Sequence, residues 1–156
     1  MVGGQASVFA HAKPVLEVFG RATHMGPHGS GQLAKLANQM IVGITIGAIA
    51  EALLLCEKGG ASMAKVKEAM TGGFAGSRIL QVHGQRMVDR DFTPHNRMSI
   101  QLKDLRNALA TAETLGLSAP MTEGVEKLYA DGIDHGLTNL DQAALFIELA
   151  TRNGIN

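Results

Sequence analysis

Two patterns of apolar positions follow one another along the chain. Residues 1 to about 27 are short and mixed. "MVGG" is a brief apolar start, and in "QASVFAHAKPVLEVFG" the residues Val8, Phe9, Ala12, Val15, Leu16 and Phe19 recur at helical spacing. Gly20 suits the end of that helix, and Pro14 within it predicts a kink or a late start. "RATHMGP" then reads as a short extended segment closed by Gly26-Pro27. The order is strand, helix, strand. Two strands alone leave edges that need neighbours, so this stretch reads as part of a larger α/β unit.

From Ser30 the pattern becomes wholly helical. Ser30 is the expected N-cap, and apolar residues occupy nearly every side of Leu33–Cys56 until Gly59-Gly60. A helix of residues 30–58 would be about 43 Å long. Being apolar all round, it must be central, wrapped by other helices or by a second subunit. "ASMAKVKEAMTGG" predicts a short helix capped by Ser62, and "SRILQVHGQRMV" another. "DRDFTPHNR" is a loop. "MSIQLKDLRNALATAETLG" is a clean amphipathic helix ended by Gly116. "SAPMTEGVEKLYADGID" has Ser118 as its expected cap and Pro120 in its first turn. "NLDQAALFIELATRN" is the last helix, with Asn139 or Asp141 as cap. Residues 30–156 thus read as an all-α bundle of about six helices.

Composition agrees. Apolar residues make up 46% of the 156 and aromatics only 4%, with no Trp, which favours packed helices over sheets. Lys plus Arg and Asp plus Glu balance at 14 each, so there is no electrostatic case for nucleic acid or an anionic membrane. The most apolar window, Met40–Cys56, contains Gly43, Thr45, Gly47 and Glu51, which suits a buried helix better than a membrane span. Cys56 is the only cysteine; it reads as a small hydrophobe and suits a reducing cytoplasm. No signal peptide pattern opens the sequence.

Several motifs are weak alone. "GPHGSG" has glycines at 26, 29 and 31, which is not the G-x-G-x-x-G of a dinucleotide site. "GGFAGS" (72–77) fits a C-cap and linker or a loop that a ligand approaches closely. Of six histidines only His24 and His28 stand four apart, and Gly26-Pro27 between them breaks any shared helix face, so no metal site is expected. His83 on an apolar face reads as a core histidine. Lys35 shares one helix face with Asn38 and Gln39 at i+3 and i+4. By pattern alone it snorkels to solvent. Its functional reading needs a desolvated lysine, since desolvation disfavours the ammonium and prepares it to exchange a proton with a substrate oxygen. Lys103-Asp104 reads as a surface pair or as a cation near a bound anion.

Taken together, the stretches "GSGQLAKLANQ", "AEALLL" (50–55), "GGFAGSRIL" (72–80), "FTPHNRMSIQLKDLRNALATAETLGLSAP" (92–120) and "GLTNLDQAAL" (136–145) resemble the β-hydroxyacid dehydrogenase family. That family includes 3-hydroxyisobutyrate dehydrogenases and tartronate semialdehyde (2-hydroxy-3-oxopropionate) reductases. The resemblance covers essentially the whole chain. It implies a mainly α fold: a C-terminal helical bundle of the 6-phosphogluconate dehydrogenase-like type around one long central helix (29–156), with a strand-helix-strand remnant of a dinucleotide-binding domain in front (1–28). It implies NAD or NADP as cofactor, a small 3-hydroxy or 3-oxo acid as substrate and a homodimer or higher oligomer. The lysine of the family's G-x-G-x-x-x-K motif falls on Lys35, as proton donor and acceptor. Ser30, Gly31 and an amide, Asn38 or Gln39, fall on the substrate side. Lys103, Phe74 and Ser77 fall on the cofactor side. The family's glycine-rich fingerprint and substrate-anchoring serine-glycine segment are absent, so the isolated chain is expected to have little or no reductase activity. The competing expectation is a helical dimerisation module that kept the fold without the chemistry.

Overall fold

The structure, a computed structural model, describes residues 1–155. The chain divides into two compact units, Met1–Gln39 and Met40–Asn156. The division falls inside the long helix.

In the first unit β1 (Val2–Gly3) pairs in parallel with β2 (His24–Gly26). The Val2 amide donates to the Thr23 carbonyl at 2.9 Å and the Gly4 amide to the Gly26 carbonyl at 2.9 Å. A parallel pair requires a crossover, which α1 (Ala6–Leu16) provides. Pro14 does not delay this helix. It begins at Ala6 and tightens past Leu16 into a 3₁₀ turn, Glu17–Phe19. None of the α1 residues is buried.

The long helix α2 runs unbroken over Ser30–Lys58, as its pattern predicts. Its cap differs from expectation. The Gly29 carbonyl accepts the Leu33 amide at 3.0 Å, so Gly29 is the capping residue and Ser30 the first residue of the helix. The chain must reverse after Pro27, and Gly29 does so at φ +88°, a conformation that strains a serine.

The second unit holds the rest of α2 and five shorter helices: α3 (Met63–Thr71), α4 (Gln85–Asp89, entered through a π turn at Leu80–Gly84), α5 (Met98–Thr114), α6 (Pro120–Gly132) and α7 (Leu145–Arg152). Ser62 caps α3, its Oγ accepting the Lys65 amide at 3.5 Å. Ser118 does not cap α6. Ala119 occupies that position, because Pro120 is the first helical residue and holds its predecessor out of the helical region. Of the two candidates near α7, Asp141 is the cap: its Oδ1 accepts the Ala143 amide at 3.1 Å.

The bundle core joins Ile46 and Leu53 of α2 to Leu80, Met87, Met98, Leu105, Tyr129, Leu145 and Phe146, all fully or almost fully buried. Gly43 lets α2 and α5 meet closely: a Cβ there would lie 2.8 Å from Gln101 Nε2 and 3.1 Å from Leu105 Cδ2. The helix is long and apolar enough to cross a bilayer, but Ile46, Ala50 and Leu53 are wholly enclosed by the bundle.

Candidate functional site

The first unit carries the residues of the G-x-G-x-x-x-K stretch. Their placement starts from two glycines. A Cβ on Gly3 would stand 2.7 Å from the Pro27 carbonyl oxygen and 2.9 Å from the Gly31 nitrogen. A Cβ on Gly31 would stand 3.0 Å from both the Gly3 nitrogen and the Met1 carbonyl oxygen. The end of β1 and the first turn of α2 therefore touch backbone to backbone, which only glycine permits. Lys35 lies one turn beyond Gly31, on the same face. Met1, Val2, Gly3, Gly29, Gly31, Gln32 and Lys35 line an open depression of about 510 Å³ there. Lys35 is half-buried. The first amides of a helix lack intrahelical acceptors and make this end of α2 partly positive. Farther along, the exposed Asn38 side chain donates from Nδ2 to Gln39 Oε1 at 3.0 Å.

So Ser30, Gly31, Lys35, Asn38 and Gln39 come together on the first turns of α2. The His24 Nε2–H donates to the Gly4 carbonyl at 2.8 Å, and the His24 ring stacks on Phe9, 5.0 Å between centroids.

The other three predicted residues belong to the second unit. "GGFAGS" is a tight turn. A Cβ on Gly76 would sit 2.4 Å from the Thr71 carbonyl oxygen, so the loop folds back on the end of α3. Phe74 points fully into solvent. Ser77 Oγ accepts the Leu80 amide at 3.0 Å and so starts the helical stretch leading to α4. Lys103 on α5 is exposed and pairs with Asp104 Oδ1 at 3.2 Å, while Asp104 itself is buried.

Pattern reading under-weighted two buried carboxylates. Asp141, which it took only as a cap, accepts the amides of His95 (3.0 Å), Asn96 (3.2 Å) and Ala143 (3.1 Å). His83 Nδ1 lies 3.5 Å away and Arg86 Nη1 3.8 Å away. Burial raises the Asp141 pKa, but the His83 contact and the three amides outweigh it and hold the carboxyl well below the usual range. Gln142 extends the network. Its Oε1 accepts from Asn96 Nδ2 at 3.0 Å, which turns its Nε2 toward His83 Nε2 at 3.2 Å. His83 is thus a bonded core histidine. Tyr129 closes the cluster, its buried hydroxyl donating to the Gln142 carbonyl at 3.1 Å. The second carboxylate, Glu148, was legible as a lone charge inside "LFIELA". It takes His135 and Arg152 as partners.

With this geometry in place, the chain can be set beside known proteins. Residues 29–149 match the family model described as the NAD-binding region of NADP-dependent 3-hydroxyisobutyrate dehydrogenase. The chain is 44% identical to 2-hydroxy-3-oxopropionate reductase of Escherichia coli over 93% of its own length and 50% of the relative's. It is 35% identical to 3-hydroxyisobutyrate dehydrogenase of Pseudomonas aeruginosa over 83% of its length and 46% of the relative's. A solved 3-hydroxyisobutyrate dehydrogenase of Mycobacterium tuberculosis, with L-serine, superposes with a TM-score of 0.88 at 30% identity, covering 96% of this chain and 54% of that one. The chain belongs to the β-hydroxyacid dehydrogenase family, an NAD(P)-dependent class, and its fold is that family's mainly α domain. It spans about half the length of the curated relatives it matches.

Proposed function

We propose that this chain is the helical catalytic part of an NAD(P)-dependent enzyme that interconverts a small 3-hydroxy acid and its 3-oxo acid. The observation that carries the reading is Lys35: half-buried, on the rim of an open depression, in the second turn of α2. A carbonyl oxygen placed there gains negative charge as its carbon is reduced. The Lys35 ammonium donates one proton to that oxygen, giving the alcohol and a neutral amine. In the oxidising direction the amine takes the hydroxyl proton back. Ser30 and Gly31 at the helix start, with Asn38 and Gln39, hold the substrate oxygens. When bound, the nicotinamide supplies or accepts the hydride.

The residues present fit such a cofactor only in part. The exposed ring of Phe74 and the exposed ammonium of Lys103 suit a planar, anionic ligand, and Ser77 orders the turn beside Phe74. The pyrophosphate cradle of a glycine-rich fingerprint is not in this sequence. Relatives of twice the length support a second reading of the same fact: the chain alone turns over little or no substrate. On this reading the parent works in the cytoplasm, as a dimer or larger assembly of identical chains.

The deciding experiment is Lys35→Ala in the full-length parent. Loss of the proton donor should lower kcat by about 10²–10⁴-fold with an unchanged circular dichroism spectrum. Wild-type kcat would overturn the catalytic role and favour the dimerisation module. Normal turnover of a semialdehyde with NAD(P)H by the isolated chain would overturn its inactivity.

A further inference from the structure

Between α6 and α7 the chain makes a π turn, Ile133–Leu137, in which Gly136 takes φ +89°. His135 of this turn is 63% exposed at its side chain, yet its partner Glu148 on α7 is only 1% exposed. His135 Nδ1 lies 2.7 Å from Glu148 Oε2. Arg152 Nε donates to Glu148 Oε1 at 2.6 Å, and the same guanidinium reaches Asp131 of α6. Lys127 also bonds Asp131, at 3.2 Å. The one arginine is therefore shared between two carboxylates, and the second oxygen of the buried Glu148 depends on His135. Just past the turn, the Thr138 carbonyl accepts the Ser99 amide (3.4 Å) and the Leu140 carbonyl accepts the Met98 amide (3.0 Å). These are the first two residues of α5.

We propose that His135 and Glu148 form a pH-operated latch that fastens the 133–137 turn, and through it the start of α5, to α7. The protonated ring offers Glu148 both a hydrogen bond and a charge; the neutral ring keeps at most the hydrogen bond. The groups facing His135 set the direction. Its hydrogen bond and attraction to Glu148, with Asp131 adding a smaller pull, raise its pKa from 6.5 against the opposing effects of desolvation and Arg152. A raised histidine pKa contributes stability below the unfolded value of 6.5. That contribution disappears as pH climbs through the folded value. The latch thus closes toward acid and slackens toward alkali. Because His135 is largely exposed, salt weakens it.

The test compares wild type with His135→Gln, which is neutral at every pH. In wild type the His135 ring should titrate above 6.5 by NMR, and 0.5 M salt (about a 4 Å screening length) should bring it down. The difference in Tm between the two proteins should be larger at pH 6 than at pH 9. The Met98 and Ser99 amides, corrected for base-catalysed exchange, should exchange several-fold faster once the ring is neutral. Glu148→Gln should return His135 to its ordinary titration. If that variant does not fold, the wild-type titration and the His135→Gln comparison still decide. A ring titrating at or below 6.5, or a Tm difference that does not change with pH, overturns the latch.

Discussion

Ile46, Ala50, Leu53 and Leu54 of α2 sit in a dry core, whereas residues 30–39 of the same helix bury only Leu36. Ile46, Ala50 and Leu53 are fully enclosed, whereas Gln32, Leu33, Ala37 and Asn38 are exposed and Lys35 is half-buried. One end of the helix is held by apolar packing, while near the other end Gly31 rests against the backbone of Gly3. On the proposed function, a single rod is sensitive in stability at one end and in chemistry at the other. Changes at the core end should unfold the bundle. Changes at the first turns should spare the bundle and alter the reaction.

The largest stability effect expected in the bundle is that of Asp141→Ala. It leaves the amides of His95, Asn96 and Ala143 without their acceptor and should cost about 3–5 kcal/mol in urea unfolding. A loss below about 1 kcal/mol would mean water replaces the carboxylate readily. Leu53→Ala should cost about 2–5 kcal/mol, because a wholly buried side chain leaves a cavity. A smaller value would show that α2 can collapse into the gap.

Acid sharpens the same contrast. The Asp141 carboxyl titrates below its unfolded value of 3.8, so its contribution is present above that pH and disappears as pH falls through the lower folded value. Asp141→Asn should flatten this acid limb of stability measured by thermal unfolding. An unchanged limb would assign acid sensitivity to other carboxylates.

The smallest stability effect belongs to Lys35→Ala, within about 0.5 kcal/mol, since it empties no core site. That change should register in turnover alone. A loss as large as that of Leu53→Ala would erase the difference between the two ends.

Much of this was readable from local pattern. The extent of α2, the Ser62 cap and the stop at Gly116 depend on neighbours within a turn. The Ser30 and Ser118 caps were misread because a stronger local constraint lay one residue away: the turn at Gly29 and the ring of Pro120. In the candidate site, the spacing of Lys35, Asn38 and Gln39 put them on one face, but nothing local announces Gly3 as the surface on which Gly31 rests. The roles of Asp141 and Glu148 needed partners distant in sequence, His95 and His135 among them.

By itself, the order of residues determined the helices and their apolar faces, and it set Lys35, Asn38 and Gln39 on one face of α2. These follow from periodicity and from contacts within four residues. The tertiary structure alone decided that β1 meets α2 through two glycines, that Asp141 ties the loop before α5 to the start of α7, and that Glu148 shares Arg152 with Asp131. The reason is that burial and charge pairing depend on which distant segments exclude water from a group, and no local pattern encodes that.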